Sequence, residues 1–292
     1  MTFTALPLRM SLVALLAGGG TIAAAHMAQK ARVEAVRPIT WWCRRRSARR
    51  RRRGDAELRR RGQARRRAGV GGERKRERDA GAGGGVPDPK STPSFRHGAL
   101  DGPACQRELA ARGIVPAPAK RELAPGVDVP LTLVAALRGV EVRGVGQASQ
   151  RSGATYSVLD CRLALALDDF AALLARRDVV AIEHLCMHRP RAAKATGKPS
   201  QHELGLAIDA AAFVKRDGTR LEVKRDWRGR IGAAPCTPVA AEGPAAAELR
   251  AIVCEARSAG LFTVMLTPNA NAQHADHLHL DLTRDATWSL LE

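Results

Sequence analysis

The sequence predicts an α+β fold: one compact domain with a largely antiparallel sheet packed by helices. Helical patterns come first along the chain, and two of the later strand patterns are joined by a tight turn, which is typical of antiparallel pairing. The composition becomes globular near residue 101, and the following stretch of about 190 residues is long enough to bury one core. We therefore expect a single domain over residues 101–288.

Three helices are indicated by apolar spacing and by capping residues. A short helix is predicted over residues 103–111. A longer one begins after Asp160, a favourable N-cap, and carries an apolar stripe of Leu163, Leu167, Phe170 and Leu174. The last begins at Pro244 and ends at Gly260, and its stripe consists of Leu249, Ile252, Val253 and Ala256.

Strands are predicted where apolar residues alternate or β-branched residues cluster. These segments are residues 140–145, 179–183, 206–215, 219–223, 262–266 and 277–282. Asp217 and Gly218 supply a hairpin turn between the third and fourth of them.

The strong positive charge of the chain comes mainly from one segment. Residues 44–78 hold seventeen arginines and one lysine against four acids, so this stretch supplies +14 of the net charge of +19. It has almost no apolar residues and leads into a segment rich in glycine and proline. We expect residues 27–100 to be a disordered linker, or a tether for a polyanionic wall polymer or an anionic lipid. Nucleic acid is disfavoured as a partner, because no aromatic residue for base stacking lies within the tract.

The first 26 residues have the pattern of an export signal. Arg9 precedes an apolar run from Met10 to Ala25, and the alanines at its end would suit a signal peptidase. The alternative is an uncleaved membrane anchor, since the arginine block that follows opposes translocation. Six single cysteines with no C-x-x-C pair favour disulfides in an oxidising, periplasmic or envelope compartment. Five of them lie in the predicted domain, so at least one is left over, and the pairing stays open.

Two segments contain four of the eight histidines, together with several carboxylates. The first is Ser200-x-His202-x-x-Gly205-x-Ala207-x-Asp209. The second runs from His274 to Asp281 and reads His-Ala-Asp-His-Leu-His-Leu-Asp. Alternation in a strand places His277, His279 and Asp281 on one face and the intervening leucines in the core. Imidazole and carboxylate are zinc ligands, so the two segments predict a Zn²⁺ site of a metallohydrolase.

These motifs resemble the zinc signature of the D-alanyl-D-alanine metallopeptidases and murein endopeptidases, an architecture shared with the hedgehog signalling domain. More closely, the span from Cys105 to Asp281 resembles the bacterial extensin-like C-terminal domain, which closes on His-x-Asp-His-x-His-Leu-Asp. The resemblance implies zinc ligands at His202, Asp209 and His279. It implies an orienting or proton-handling role for His277, and a general base at either Asp276 or His274.

The chain departs from the extensin-like pattern at two places. The family's Tyr-x-Cys-Arg segment is here His184-Leu-Cys186-Met-His188-Arg189, without the tyrosine and with the arginine displaced. If that arginine holds a substrate carboxylate, Arg189 or Arg191 must do so, and Ser200 is a further candidate for substrate binding. The base position also carries Asp where the related peptidases have the longer Glu.

The function expected from the sequence is an exported zinc peptidase that acts on stem peptides or cross-links of peptidoglycan. The alternative is a non-catalytic wall-binding or zinc-stabilised structural domain. The sequence does not determine the bond cleaved or the oligomeric state.

Overall fold

The computed structural model describes residues 88–145, 155–191 and 197–292. The predicted signal or anchor over residues 1–26 and the arginine tract lie outside these ranges. Within them, no helix combines the length and the apolar character needed to cross a membrane.

Regular secondary structure continues on both sides of the predicted domain, residues 101–288. Residues 88–100, predicted as linker, form a 3-10 helix, Pro89–Ser91, and the α-helix α1, Pro93–Ala99. Thr92 caps α1 and Pro93 occupies its first turn, so this Thr-Pro pair marks a helix start and not a linker. At the other end, Leu290–Leu291 pair with a central strand.

The remaining helices are α2 Gly102–Ala111, α3 Cys161–Ala175, α4 Val223–Asp226 and α5 Pro244–Ser258. The strands are β1 Ala117–Pro118, β2 Pro130–Thr132, β3 Glu141–Gly144, β4 Leu159–Asp160, β5 Val179–Cys186, β6 Ala207–Lys215, β7 Arg220–Glu222, β8 Val264–Leu266, β9 Leu278–Asp281 and β10 Leu290–Leu291. The predicted helices and the hairpin at Asp217–Gly218 are confirmed. The predicted 219–223 strand is shorter, because Val223 already begins α4.

The main sheet has the order β10-β8-β9-β6-β5-β3, with β7 paired to the second half of β6. Pairing is antiparallel except at β10/β8 and β3/β5, which are parallel. A small antiparallel sheet, β1-β2-β4, lies at the start of α3. The predicted α+β class with a largely antiparallel sheet is therefore confirmed.

Helix α3 is the centre of the core. Twelve of its fifteen residues are buried, and α1, α2 and α5 all pack against it. Phe170 meets Phe213 of β6 and Phe262 edge to face, with ring centroids 6.0 and 5.4 Å apart. These contacts bind the helix layer to the sheet that carries the functional side chains.

Two disulfides hold the domain. Cys105–Cys161 joins α2 to the start of α3, and Cys236–Cys254 joins the loop before α5 to that helix. The fifth cysteine of the domain, Cys186, lies buried outside both disulfides, as the odd number required. Such bonds are typical of proteins in an oxidising environment.

Candidate functional site

The register between β6 and β9 brings the two histidine segments together. Asp209 lies directly opposite His279, while Ile208 and Ala210 lie opposite Leu280 and Leu278. Those apolar residues belong to the core, so alternation directs Asp209 and His279 to the other face of the sheet. The leucine-inward arrangement predicted for the C-terminal segment is confirmed.

His202 reaches the same point from the turn before β6. Gly205 makes the turn possible, because its φ is +67° and a Cβ there would lie 2.9 Å from the backbone nitrogen of Asp160. The carbonyl of Gly205 accepts a hydrogen bond from that nitrogen at 2.9 Å, which anchors the turn to the start of α3. The chain can therefore fold back and place His202 beside Asp209.

Three side-chain atoms converge in this site. His202 Nε2 is 3.0 Å from Asp209 Oδ1 and 3.2 Å from His279 Nδ1, and His279 Nδ1 is 3.1 Å from Asp209 Oδ1. Ligand atoms on one face of a zinc tetrahedron with bonds of 2.0–2.1 Å lie about 3.3 Å apart. The observed triangle needs to open by only a few tenths of an ångström to hold such an ion, so the residues fit zinc.

Both imidazoles are anchored through their other nitrogen. His202 Nδ1 donates to the carbonyl of Met187 at 2.9 Å, and His279 Nε2 donates to Asp281 Oδ2 at 3.0 Å. In the neutral imidazole this arrangement leaves a lone pair on His202 Nε2 and on His279 Nδ1, both facing the Asp209 oxygen. Three acceptors at this distance repel one another unless a cation lies among them.

Without a metal ion, that cation is a proton. Burial alone lowers the pKa of His279, but hydrogen bonds and charge from Asp209 and Asp281 outweigh it and raise the pKa to about 9. Burial raises the pKa of Asp209, yet the histidines around it hold that pKa well below its ordinary value. The site therefore favours positive charge strongly.

The three residues considered for proton transfer lie beside this triangle, each in a different setting. His277 is nearest, with Nε2 3.4 Å from Asp209 Oδ1, and its Nδ1 donates to Asp276 Oδ1 at 2.8 Å. The ring centroid of His274 is 5.2 Å from that of His277 and 5.9 Å from that of His279. His274 Nδ1 donates to Asn271 Oδ1 at 3.0 Å. Asp276 is thus hydrogen-bonded to His277, a contact that the spacing alone did not reveal.

The two residues predicted for substrate binding flank His202. The backbone nitrogen of Arg189 donates to the carbonyl of His202 at 3.0 Å, so this residue is fixed next to the site. Ser200 is exposed, and its hydroxyl accepts from the nitrogen of Glu203 at 3.3 Å. Glu203 also binds Arg191, Nε to Oε2 at 3.3 Å. Their roles toward a substrate stay predictions.

The other described histidines are His97, His184 and His188. His97 bonds Asp169, and His188 is buried with Nε2 3.4 Å from the carbonyl of Pro125. His184 is buried, which lowers its pKa to about 4 and keeps it neutral. Asp281 and the Met187 carbonyl are the anchoring groups that the sequence reasoning did not assign. Strand alternation, which puts residue 281 on the face of residue 279, was the available signal for Asp281.

No curated protein and no solved structure matches this chain. Residues 104–290 match the family model described as the extensin-like protein C-terminus. The match spans both histidine segments and all of the main sheet except Leu291, the last residue of β10, and the chain belongs to the extensin-like C-terminal family.

Proposed function

We propose that this protein is an exported zinc metallopeptidase that hydrolyses stem peptides or cross-links of peptidoglycan. The observation that carries the proposal is the triangle of His202 Nε2, Asp209 Oδ1 and His279 Nδ1, with edges of 3.0, 3.1 and 3.2 Å and with both imidazoles anchored from behind. Three protein ligands, two on adjacent strands and one on the turn before β6, leave a fourth position for water or substrate, which is typical of a catalytic zinc site.

His202, Asp209 and His279 would hold the ion. A zinc ion bound there would act as a Lewis acid on the scissile carbonyl and would activate water for attack. The protein contributes orientation, since the β6/β9 pairing and the turn at Gly205 fix all three ligands.

His277 and Asp276 form the pair best placed to move protons. The Asp276 carboxylate accepts a hydrogen bond from His277 Nδ1 and so fixes the ring, with Nε2 3.4 Å from Asp209 Oδ1. His277 would take a proton from the attacking water and return it to the leaving amine. His274 Nδ1 donates to Asn271 Oδ1, and its ring centroid lies 5.9 Å from that of His279. We therefore assign proton transfer to His277, with Asp276 as its orienting partner.

Wall peptides are the substrate class that we propose from the resemblance to murein peptidases. Such peptides end in carboxylates, which Arg189 beside His202 would bind, with Ser200 at the same rim. The arginine tract would hold the enzyme on polyanionic wall polymers or anionic lipids. Export agrees with the two disulfides of the domain.

The test is metal analysis followed by peptide digestion. Purified protein should carry about one zinc per chain, and His202→Ala and His279→Ala should lose it. Incubation with muropeptides should release new amines, and Asp276→Ala and His277→Ala should abolish the release while the zinc stays bound. Absence of zinc from the intact protein would overturn the proposal.

A second candidate is a zinc-stabilised structural or wall-binding domain. The observation that favours it is the position of His277, since Nε2 lies 3.4 Å from Asp209 Oδ1 and could become a fourth ligand. Four protein ligands are typical of a closed, structural site. A zinc-loaded protein that is inert toward muropeptides, and that loses affinity for zinc in His277→Ala, would support this candidate.

A further inference from the structure

Asp281 is a buried carboxylate directly behind the proposed metal ligand His279. It is 5% exposed, and its Oδ2 accepts from His279 Nε2 at 3.0 Å. In the described part of the chain, the other side chain that bonds its carboxylate is Thr283, whose hydroxyl lies 3.4 Å from Oδ1. The contact with His279 is the shorter of these two, so the carboxylate of Asp281 is placed to act on that ring.

The hydrogen-bond chain continues to the other histidine segment. The Thr283 hydroxyl accepts from Gln201 Nε2 at 3.2 Å, and Gln201 immediately precedes the ligand His202. The backbone nitrogen of Thr283 also donates to Thr263 Oγ1 at 3.1 Å, which fixes the hydroxyl on the sheet. Asp281 is thus held in place from the side opposite His279.

Two carboxylates compete for the single proton of a neutral His279. Asp209 Oδ1 is 3.1 Å from Nδ1, and Asp281 Oδ2 is 3.0 Å from Nε2. Because the two distances are nearly equal, the carboxylate that is the stronger hydrogen-bond acceptor determines which ring nitrogen carries the proton. Asp209 also meets His202 at 3.0 Å and His277 at 3.4 Å, and these contacts reduce its attraction for a further proton. The proton should therefore lie on Nε2.

We infer that Asp281 is a positioning residue, which holds the proton of His279 on Nε2 and so presents the Nδ1 lone pair to a metal ion. The inference rests on the proposed function, because it assigns to the proposed metal site a residue that determines the affinity of the site for zinc. An amide at this position would donate to Nε2 as readily as accept, and the His279 proton would move to Nδ1 and to Asp209. A metal ion would then have to displace that proton.

The experiment measures zinc affinity by competition with a chelator in the full protein at pH 9.5, where His279 is mostly neutral before the metal binds. Asp281→Asn should weaken binding by about 10- to 100-fold, the usual loss when a carboxylate behind a ligating histidine is removed. Asp285→Asn is the matched control: it removes the same charge four residues away, at an exposed position whose φ of +58° suits asparagine. It should bind zinc as the unmodified protein does.

The nitrogen-15 chemical shifts of the His279 ring, measured in metal-free protein above pH 9, report which nitrogen carries the proton. A general loss of stability would not change the tautomer in this way. The unmodified protein should show the Nε2–H form and Asp281→Asn the Nδ1–H form. Thr283→Val, which keeps the side-chain shape, should weaken zinc binding less and keep the Nε2–H form. Equal zinc affinity for the unmodified protein and Asp281→Asn would overturn the inference alone. An unmodified protein without zinc affinity would instead overturn the proposed function.

Discussion

The affinity of the site for zinc should depend steeply on pH, because a proton occupies the place of the metal. The pKa of His279 is raised to about 9, so at pH 7 only about one molecule in a hundred has the free Nδ1 lone pair. Zinc must displace this proton, and the apparent association constant should rise about tenfold per pH unit. The gain should reach about 50-fold between pH 7 and 9 and level off above pH 9.

Chelator competition at fixed ionic strength, corrected for protonation of the chelator, measures this dependence. Asp285→Asn should follow the same curve, since it leaves the site intact. His279→Ala should bind weakly at every pH and should lose the slope that belongs to this residue. An association constant that changes less than about twofold from pH 7 to 9 would refute the reasoning, because no proton would then be displaced from His279.

The metal-free protein should show the opposite trend in stability. The pKa of His279 in the folded protein is above its unfolded value of about 6.5, so protonation of this side chain stabilises the fold. The contribution is fully present below pH 6.5 and is lost as the pH rises through 9. A shift of this size corresponds to about 3 kcal/mol. Denaturant unfolding of metal-free protein at pH 6.5 and 9.5 should show the loss, and added zinc should reverse it at the higher pH.

Three further outcomes follow from the geometry. Gly205→Ala should lower the unfolding free energy by about 2 kcal/mol or more and weaken zinc binding, because φ at this residue is +67° and the new Cβ would meet backbone atoms. The control is Gly218→Ala, where φ is +85° and no atom lies within 4 Å of the new Cβ. This variant should lose stability through backbone strain but keep its zinc affinity. Replacing both Cys105 and Cys161 by Ser should lower the unfolding free energy by about 4 kcal/mol in chemical denaturation, since their sequence separation is 56. Asp276→Asn should lower the muropeptide cleavage rate at least about 100-fold with zinc content unchanged, and an unaltered rate would remove Asp276 from the mechanism.

The helices and the site could be predicted from local signals that the structure preserves. Asp160 caps α3 as its residue type suggests, and Pro244 begins α5. The two histidine segments were predicted to meet, and the β6/β9 register brings them together. These features depend on short-range chemistry and on strand alternation, which a sequence displays directly.

Other features required the three-dimensional arrangement. The group that anchors His202 is the backbone carbonyl of Met187, which every residue type possesses, so the sequence does not indicate it. Helix α1 was not predicted, because Thr92 and Pro93 lie in a proline-rich stretch that hides its start. Asp276 and His277 are neighbours in sequence, yet only the structure shows that the carboxylate is hydrogen-bonded to the imidazole.

The same alternation that builds the core also builds the site. A shift of the β6/β9 register by one residue would bring Leu280 opposite Asp209 and would turn His279 toward the core, since strand side chains alternate with a period of two. Burying Leu278 and Leu280 therefore selects the register that puts Asp209 opposite His279. The converging ligands repel one another without a cation, so the apolar face must hold them in place until a proton or metal binds. For that reason a core substitution such as Leu280→Ala should lower zinc affinity as well as stability, although no atom of Leu280 faces the site.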